Sequence, residues 1–277
     1  MPGKPLDPAS PRALLGAELR VARERAAMSQ AALGEKLFVS GSYVGQMEAG
    51  TRRITLELAK SIDEILGMGG FFTRNAGKQG KSKYPDHFVE AAEAEAEALA
   101  IREYAPLVIP GLLQREAYAR EIFRAYQPTA PEAVIDELTE ARLGRARLLT
   151  DPSTPLLWCV LDEAVLRRVV GGRAVMADAL HHIAELIGMR RIIVQVLPFS
   201  SGAHAAVGGF LQVMSFEDAP PLAYIQGNGT GALLDDPATV ARHTLTYDLL
   251  MACALSPAQS LAMIESAAED YTHDQHA

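Results

Sequence analysis

The first 70 residues contain five short stretches in which apolar residues recur at the spacing of one helix face. In the first stretch Leu15, Leu19 and Ala22 lie three or four residues apart, as the buried side of a helix requires. Short polar residues that can cap a helix precede four of the stretches. The predicted caps are Ser10 (with Pro11 at the first helical position), Ser29, Ser40 and Thr55, while Gly67 ends the fourth helix and Phe71 and Phe72 close the core.

A different pattern begins at His87 and combines helical segments with apolar runs of strand length. The segments with helical periodicity are 87–104, 112–126, 131–149, 173–189, 237–254 and 257–270. The apolar runs 155–161 and 192–199 flank one of these helices, which predicts a strand–helix–strand unit with a parallel pair of strands. The segments 209–216 and 220–227 flank Glu-Asp-Ala-Pro and predict a hairpin.

These patterns predict an α+β chain that is mostly helical. Residues 1–72 are expected to form a five-helix domain, and residues 87–277 a domain of helices packed on a small mixed β-sheet. The polar, glycine-containing and basic segment 73–86 is interpreted as a linker. Two roles stay open for its regularly placed cations, a solvated hinge or contact with phosphates. The cations are Arg74, Lys78, Lys81 and Lys83.

Charge is distributed unevenly between these parts. Residues 1–85 hold 13 Lys and Arg against 8 Asp and Glu, a formal +5, whereas the remainder holds 13 against 26, a formal −13. A basic domain joined to an acidic one favours nucleic-acid binding by the basic domain only.

Several classes of protein are disfavoured by what the sequence lacks. It has no apolar run of 18 residues for a membrane span and no apolar segment typical of a secretory signal near the start. Cys159 and Cys253 lie in apolar runs and are interpreted as buried free thiols in a reducing cytoplasm. We find no catalytic triad order, phosphate loop, dinucleotide fingerprint or metal-ligand spacing, His181-His182 included. We therefore expect no enzyme, no cofactor and no metal.

The stretch VSGSYVGQMEAGTRR, residues 39–53, carries the candidate chemistry. It reads as a tight turn, a short helix and two arginines. Val44 and Met47 would face the core, which predicts that Ser42, Tyr43 and Gln46 lie on the opposite face, where short polar side chains can reach base edges in a major groove. An ordinary helical hairpin with a solvated polar face is the alternative.

Other residues around this helix are placed to hold the DNA backbone. Gln30 opens the preceding helix, and Arg52 and Arg53 follow the stretch. Ser40 caps the helix, whose N-terminus favours a phosphate, and Gly41 would allow the backbone to approach closely.

The spacing of residues 29–54, SQAALGEKLFVSGSYVGQMEAGTRRI, resembles the Xre type, the lambda-repressor-like DNA-binding domains, over about residues 12–72. The matching residues are Ser29-Gln30, Leu33-Gly34, Ser40, Val44 and Met47-Glu48-Ala49-Gly50 with Arg52-Arg53. Gly34 replaces the usual Ala, which would loosen the second helix, and Ile54 stands where Pro is common.

The resemblance implies a role for each matching residue. Gln30 and Arg52 would contact phosphates, and Ser42, Tyr43 and Gln46 would read bases. Glu48 would form a structural pair with Arg23 instead of contacting DNA.

The second part, about residues 86–272, resembles a domain of unknown function that follows such modules in the WhiJ-like regulators of Streptomyces. The matching segments are 104–120, 161–172, 176–186, 194–204 and 254–260. The resemblance implies a transcriptional regulator whose gene neighbours that of a small partner protein. It brings no ligand or catalytic residue.

Two readings of the residues themselves stay open in this second domain. The loop Pro198–Phe210, with His204, follows an apolar strand and is either part of a ligand pocket or a plain surface loop. Asp162-Glu163 is interpreted as a helix N-terminal pair.

Three functions compete on these grounds. The first is a cytoplasmic repressor that binds an inverted repeat in double-stranded DNA as a homodimer and receives a protein or small-molecule signal through its C-terminal domain. The second is an antitoxin-like module that sequesters a small protein and regulates only its own gene. The third, a DNA-targeted enzyme, is disfavoured because no catalytic constellation is present.

Overall fold

The computed structural model describes residues 11–50, 52–76, 84, 88–150, 155–217 and 219–273. The chain divides into two compact units, Met1–Ser82 and Lys83–Ala277. The described part of the first unit contains only helices, and the second combines helices with a six-stranded mixed sheet. The α+β class expected from the sequence is confirmed.

The described part of the first unit contains five helices, as the apolar spacing predicts. They are α1 (Pro11–Arg25), α2 (Gln30–Leu37), α3 (Gly41–Glu48), α4 (Leu56–Leu66) and α5 (Phe71–Ala76). Their inward faces meet in one core, in which six large side chains are almost fully buried. These are Leu19, Leu33, Val44, Met47, Ile62 and Phe72.

Three of the four predicted caps are confirmed. The hydroxyl oxygens of Ser29, Ser40 and Thr55 each accept the backbone N–H of the residue three positions later. Gly67 ends α4 in the left-handed conformation, with φ of 65°. Ser10, the fourth cap, lies outside the described residues.

The turn after α2 packs against that helix more closely than an alanine would allow at position 34. A Cβ atom on Gly34 would lie 2.7 Å from the carbonyl oxygen of Val39 and 3.0 Å from the backbone of Ser40. The glycine that the sequence suggested would loosen α2 therefore lets the turn pack against the helix.

The seven helices described in the second unit flank its sheet along the chain. They are α6 (Val89–Glu97), α7 (Glu116–Tyr126), α8 (Glu132–Ala146), α9 (Glu163–Arg167), α10 (Arg173–Gly188), α11 (Pro237–Cys253) and α12 (Pro257–His273). The Pro-Gly-Leu-Leu-Gln segment before α7 forms a single 3-10 turn that buries Leu112 and Leu113.

The sheet is part parallel and part antiparallel. Its strands are β1 (Ala100–Ala105), β2 (Leu156–Asp162), β3 (Ile192–Leu197), β4 (Phe210–Ser215), β5 (Leu222–Gly227) and β6 (Thr230–Leu234), in the order β3-β2-β1-β4-β5-β6. The strands β1, β2 and β3 are parallel, and β4, β5 and β6 continue the sheet as an antiparallel meander. The predicted strand–helix–strand unit and the hairpin are both confirmed.

Helices cover both faces of this sheet. On one face Ile101, Leu157 and Val194 pack in the larger core with residues of α10 and α12. On the other face Tyr104 and Val160 pack with residues of α11. This two-sided burial explains why β2 and β3 read as continuous apolar runs.

The predicted helix 87–104 is wrong in its second half. Helix α6 ends at Glu97, and Ala100–Ala105 forms β1, between β2 and β4. Ala, Glu and Arg favour a helix. Hydrogen bonding to strands on both sides, and the burial of Ile101 and Tyr104 on opposite faces of the sheet, outweigh that preference.

Three smaller expectations also differ from the structure. Strand β6 was not predicted, because it is short and contains Gly231. Helix α5 continues to Ala76, four residues into the segment interpreted as a linker, because Asp63 accepts hydrogen bonds from the backbone N–H groups of Phe72 and Thr73. Cys159 is buried as expected, but Cys253 is exposed at the end of α11. Lys78, Lys81 and Lys83 lie outside the described residues.

Among the described residues, no single helix is long and apolar enough to span a membrane. Helices α11 and α12, bent by 72° at their junction, pass the length and composition test only as a pair.

We expect Gly34→Ala to destabilise the first unit by about 1–3 kcal/mol, because the added methyl group presses on the backbone of the turn. The matched control is Gly144→Ala in α8, where a Cβ atom would meet nothing within 4 Å. The control should stabilise its helix by about 0.5–1 kcal/mol. Native-state amide hydrogen exchange in α2, α3 and α8 measures both changes locally. If Gly34→Ala stabilised its helix as much as Gly144→Ala does, the close approach of the turn would not constrain position 34.

Candidate functional site

The turn between α2 and α3 positions the N-terminus of the candidate recognition helix. Phe38 ends α2 in the left-handed conformation, with φ of 56°. Two residues later Ser40 accepts the backbone N–H of Tyr43 at 3.0 Å and starts α3. A capped helix of eight residues is thereby presented on the unit, beginning at Gly41.

A buried ion pair fixes the other end of α3. Arg23 of α1 donates from Nε to Glu48 Oε1 at 2.5 Å and from Nη2 to Glu48 Oε2 at 3.1 Å. Its remaining nitrogen donates to the carbonyl of Met28 at 2.7 Å, and Gln30 Nε2 donates to Glu48 Oε2 at 2.9 Å. The hydrogen bond to Glu48 raises the pKa of Arg23. Three helices are therefore tied at one carboxylate, and the pair expected from the resemblance is formed.

Fewer side chains of α3 face outward than the sequence suggested. Ser42 is exposed and Gln46 is half-buried, so both can reach a ligand in front of the helix. Tyr43, however, is only 9% exposed and packs in the core with Val44 and Met47. The prediction that Tyr43 lies on the outward face is wrong, because it lies four residues before Met47 and so shares the buried face.

Arg52 is also buried, which contradicts its expected place on the phosphate-contacting surface. It is 4% exposed, and its guanidinium carbon lies 3.6 Å from the centroid of the Tyr43 ring. From this stacked position Nη1 donates to Gln46 Oε1 at 3.3 Å. Planar guanidinium groups suit such stacking, which lysine cannot reproduce. Arg52 is therefore a positioning residue for Gln46.

The other expected contacts divide between surface and interior. Gln30 is exposed, although its amide is engaged with Glu48 and lies over Gly45. Arg53 is partly exposed, beside α3. Gly41 serves a contact within the unit, since a Cβ atom there would lie 3.1 Å from Ala31, so its expected approach to DNA is not what requires glycine.

A cluster of buried charges in the second unit was not foreseen. Glu95 and Glu103 are 1% and 3% exposed, and Gln212 donates to both of them, at 2.8 and 3.2 Å. Arg145 Nε lies 3.2 Å from Glu95 Oε2, and its guanidinium carbon lies 4.4 Å from the centroid of the Phe88 ring. Glu95 and Arg145 belong to segments that read as amphipathic helices, and only the unrecognised strand β1 brings Glu103 to them.

The carboxyl ends of β1 and β2 carry a second polar group. Asp162 caps α9 by accepting the backbone N–H of Ala164, so the expected helix N-terminal pair Asp162-Glu163 is present. Its other oxygen accepts the hydroxyl of Tyr104 at 3.2 Å, and His204 Nε2 lies 3.4 Å from that hydroxyl. The loop Pro198–Phe210 is thus attached to the sheet at His204.

Comparison with known families identifies both units. A family model described as "Domain of unknown function (DUF5753)" matches residues 88–266, more than half of the chain. The chain belongs to the DUF5753 family. A second model, described as "Helix-turn-helix domain", matches residues 14–70 and indicates a DNA-binding regulator. Neither the curated proteins nor the solved structures yield a match.

The DUF5753 domain buries ionisable side chains at its sheet, and this burial changes their pKa values. Burial, and next the charge of Glu95, raise the pKa of Glu103 to about 7. Among the described residues, no group of three or more His, Cys, Asp or Glu side chains could hold a metal ion.

We expect Glu48→Ala to cost about 3–5 kcal/mol of the stability of the helix-turn-helix unit, because it leaves the guanidinium of Arg23 buried without its carboxylate. Amide exchange in α1 and α3 measures the loss. The double variant Arg23→Met/Glu48→Met should recover most of it, because no unpaired charge remains. A double variant as unstable as Glu48→Ala would contradict this account.

We expect the stability of the DUF5753 domain to fall between about pH 4.5 and 7, because the raised pKa of Glu103 makes its ionisation costlier in the folded state. Glu103→Gln should remove this slope and exceed the wild type in stability at pH 8. Trp158, the single tryptophan, lies in β2 and reports urea unfolding of this domain by fluorescence. The exposed Glu97→Gln is the control, and a slope unchanged by Glu103→Gln would contradict the assignment.

Proposed function

We propose that this DUF5753 protein is a cytoplasmic, sequence-specific transcription regulator that represses by occupying an operator as a homodimer. The observation that carries the proposal is the exposed face of α3, with Ser42 and Gln46, on a helix fixed at both ends. A helix of this kind can enter a major groove, where the donor and acceptor pattern distinguishes base pairs. The formal +5 of residues 1–85 adds attraction to phosphates.

Gln46 is the main base reader in this proposal. Arg52 donates to its Oε1 atom and so fixes the position of the amide. A glutamine amide can pair with base edges in the major groove, those of adenine above all. Ser42 contributes a hydroxyl one turn earlier, while Gln30 and Arg53 lie beside the groove for phosphates.

The dimer follows from the size of the reading surface. One module offers few base contacts, so two modules on an inverted repeat are needed for useful specificity. The DUF5753 domain would join the two copies. Its helix α11 offers Leu245 and Leu249, which are 59% and 50% exposed, for that contact.

The DUF5753 domain is proposed to receive the regulatory signal and not to catalyse a reaction. Its resemblance to the second domain of the WhiJ-like Streptomyces regulators supports this role. The Xre-type pattern of residues 29–54 supports the same class of regulator. The small protein encoded beside such genes is one candidate signal, and a small molecule is the other.

Selection of duplexes from a random DNA pool by the full chain tests the proposal. We expect enrichment of an inverted repeat whose half-sites are separated by about 10–10.5 base pairs or a multiple of that spacing. Placing the enriched repeat over a promoter should lower reporter expression when the protein is present. Failure to enrich any sequence would refute specific reading and leave the antitoxin-like function as the better account.

Substitutions on α3 and behind it distinguish base recognition from the attraction between positive side chains and phosphates. Gln46→Ala should cost about 1–3 kcal/mol on the selected site, and Arg53→Ala should weaken all sequences alike while lowering the salt slope by about 1. Arg52→Lys retains the charge but loses the stack on Tyr43. We therefore expect it to lose as much discrimination between DNA sequences as Gln46→Ala does, with an unchanged salt slope. Fluorescence anisotropy at several salt concentrations measures all three. Arg52→Lys with wild-type discrimination would contradict its positioning role.

A further inference from the structure

One edge of the DUF5753 sheet gathers the ends of its parallel and antiparallel strands. The parallel strands β1, β2 and β3 all end there. The antiparallel register pairs Tyr104 with Leu211, Phe210 with Gln226, and Gln226 with Gly231, so β4 and β6 begin and β5 ends at the same edge. In sheets with parallel strands, ligands bind outside the carboxyl ends.

A cleft of about 460 Å³ opens at this edge. Its floor is apolar, because Leu211, Ile225 and Ala232 are cross-strand neighbours on one face of the sheet. Helix α11 forms one wall with His243 and Thr246, and the loop forms another with Ala205, Ala206, Gly208 and Gly209. The volume lies within the range of roughly 300–1,000 Å³ that is usual for small-molecule sites.

The loop wall is held by the polar group at the strand ends. His204 directly precedes the wall and lies edge-on to Tyr104, with ring centroids 5.4 Å apart. The Tyr104 hydroxyl joins His204 to Asp162. His204 itself is not among the residues that line the cleft, so this chain of hydrogen bonds holds the loop wall and does not itself face the cleft.

The lining indicates the charge of the ligand. None of the described lining residues carries a carboxylate, an ammonium or a guanidinium group. Burial, and next the charge of Arg242, lower the pKa of His243, so its imidazole is neutral at pH 7. The polar groups are the hydroxyls of Thr230 and Thr246, the amide of Gln226 and that imidazole. Such a site selects against charged molecules, because they would be desolvated without a counter-charge.

We propose that this cleft binds an uncharged, mostly apolar small molecule with one or two hydrogen-bonding groups, and that the Asp162–Tyr104–His204 chain positions the loop that forms one of its walls. The role of this ligand as the signal that regulates transcription rests on the proposed function. Binding itself is measured on the full chain without DNA, so failure to bind and failure to read an operator are distinguishable.

The probes are 1-naphthol, which is neutral, and 1-naphthoate, which has the same rings and a negative charge. Methyl-resolved NMR of the full chain follows Leu211, Ile225 and Ala232. We expect saturable shifts of these methyl signals with 1-naphthol, and affinity for 1-naphthoate at least tenfold lower.

Two variants and one control locate the site. Gly208 lines the cleft and a Cβ atom there would meet nothing within 4 Å, so the larger side chain of Gly208→Leu has room at the cleft and should weaken 1-naphthol binding at least tenfold. The neighbouring Val207, 74% exposed and outside the lining, provides the control Val207→Leu, which should bind as the wild type does. Tyr104→Phe removes the hydroxyl that joins the chain and should weaken binding several-fold.

Three results would overturn the proposal. They are the absence of methyl shifts with 1-naphthol up to its solubility limit, equal affinity for 1-naphthoate, and undiminished binding in Gly208→Leu. Urea unfolding followed by Trp158 fluorescence shows that each variant is folded. If Gly208→Leu is unfolded, Thr230→Leu replaces it with the same expected loss.

Discussion

The ion pair of Arg23 and Glu48 is the interaction on which the helix-turn-helix unit depends. A buried charge is tolerated only when its partner and hydrogen bonds are complete, and here the guanidinium has a partner for each nitrogen. Because Glu48 is the last residue of α3, the same pair sets the orientation of the helix that presents Ser42 and Gln46. The stability of the unit and the orientation of its proposed recognition surface therefore depend on the same carboxylate.

Much of this unit could be predicted because its determinants are local. The apolar spacing that specifies a helix lies within that helix. The serine and threonine caps and Gly67 lie directly at the helix ends that they specify. The expectations for Tyr43 and Arg52 failed for different reasons. Tyr43 shares the helix face of Met47, four residues later, and Arg52 covers that same side of α3 by stacking on the Tyr43 ring. The spacing along α3 encodes the burial of Tyr43, whereas the burial of Arg52 depends on the turn that follows α3.

The DUF5753 domain shows the complementary limit. The strand–helix–strand unit and hairpin were foreseen from β2, β3, β4 and β5, whose apolar runs are unambiguous. Strand β1 was missed because Ala, Glu and Arg favour a helix until neighbouring strands bind both edges of the segment. Because β1 was missed, two features that depend on its position were missed as well. They are the buried Glu103 and the contact of Tyr104 with His204.

In the proposed complex the exposed face of α3 enters the major groove. Photo-crosslinking tests it most directly, with p-benzoylphenylalanine introduced at Ser42 in the full chain and, as the control, at the exposed Glu64 of α4. On the selected duplex we predict crosslinks to major-groove base atoms from position 42 and none from position 64. Crosslinks absent from position 42, or equally frequent from both positions, would contradict the account.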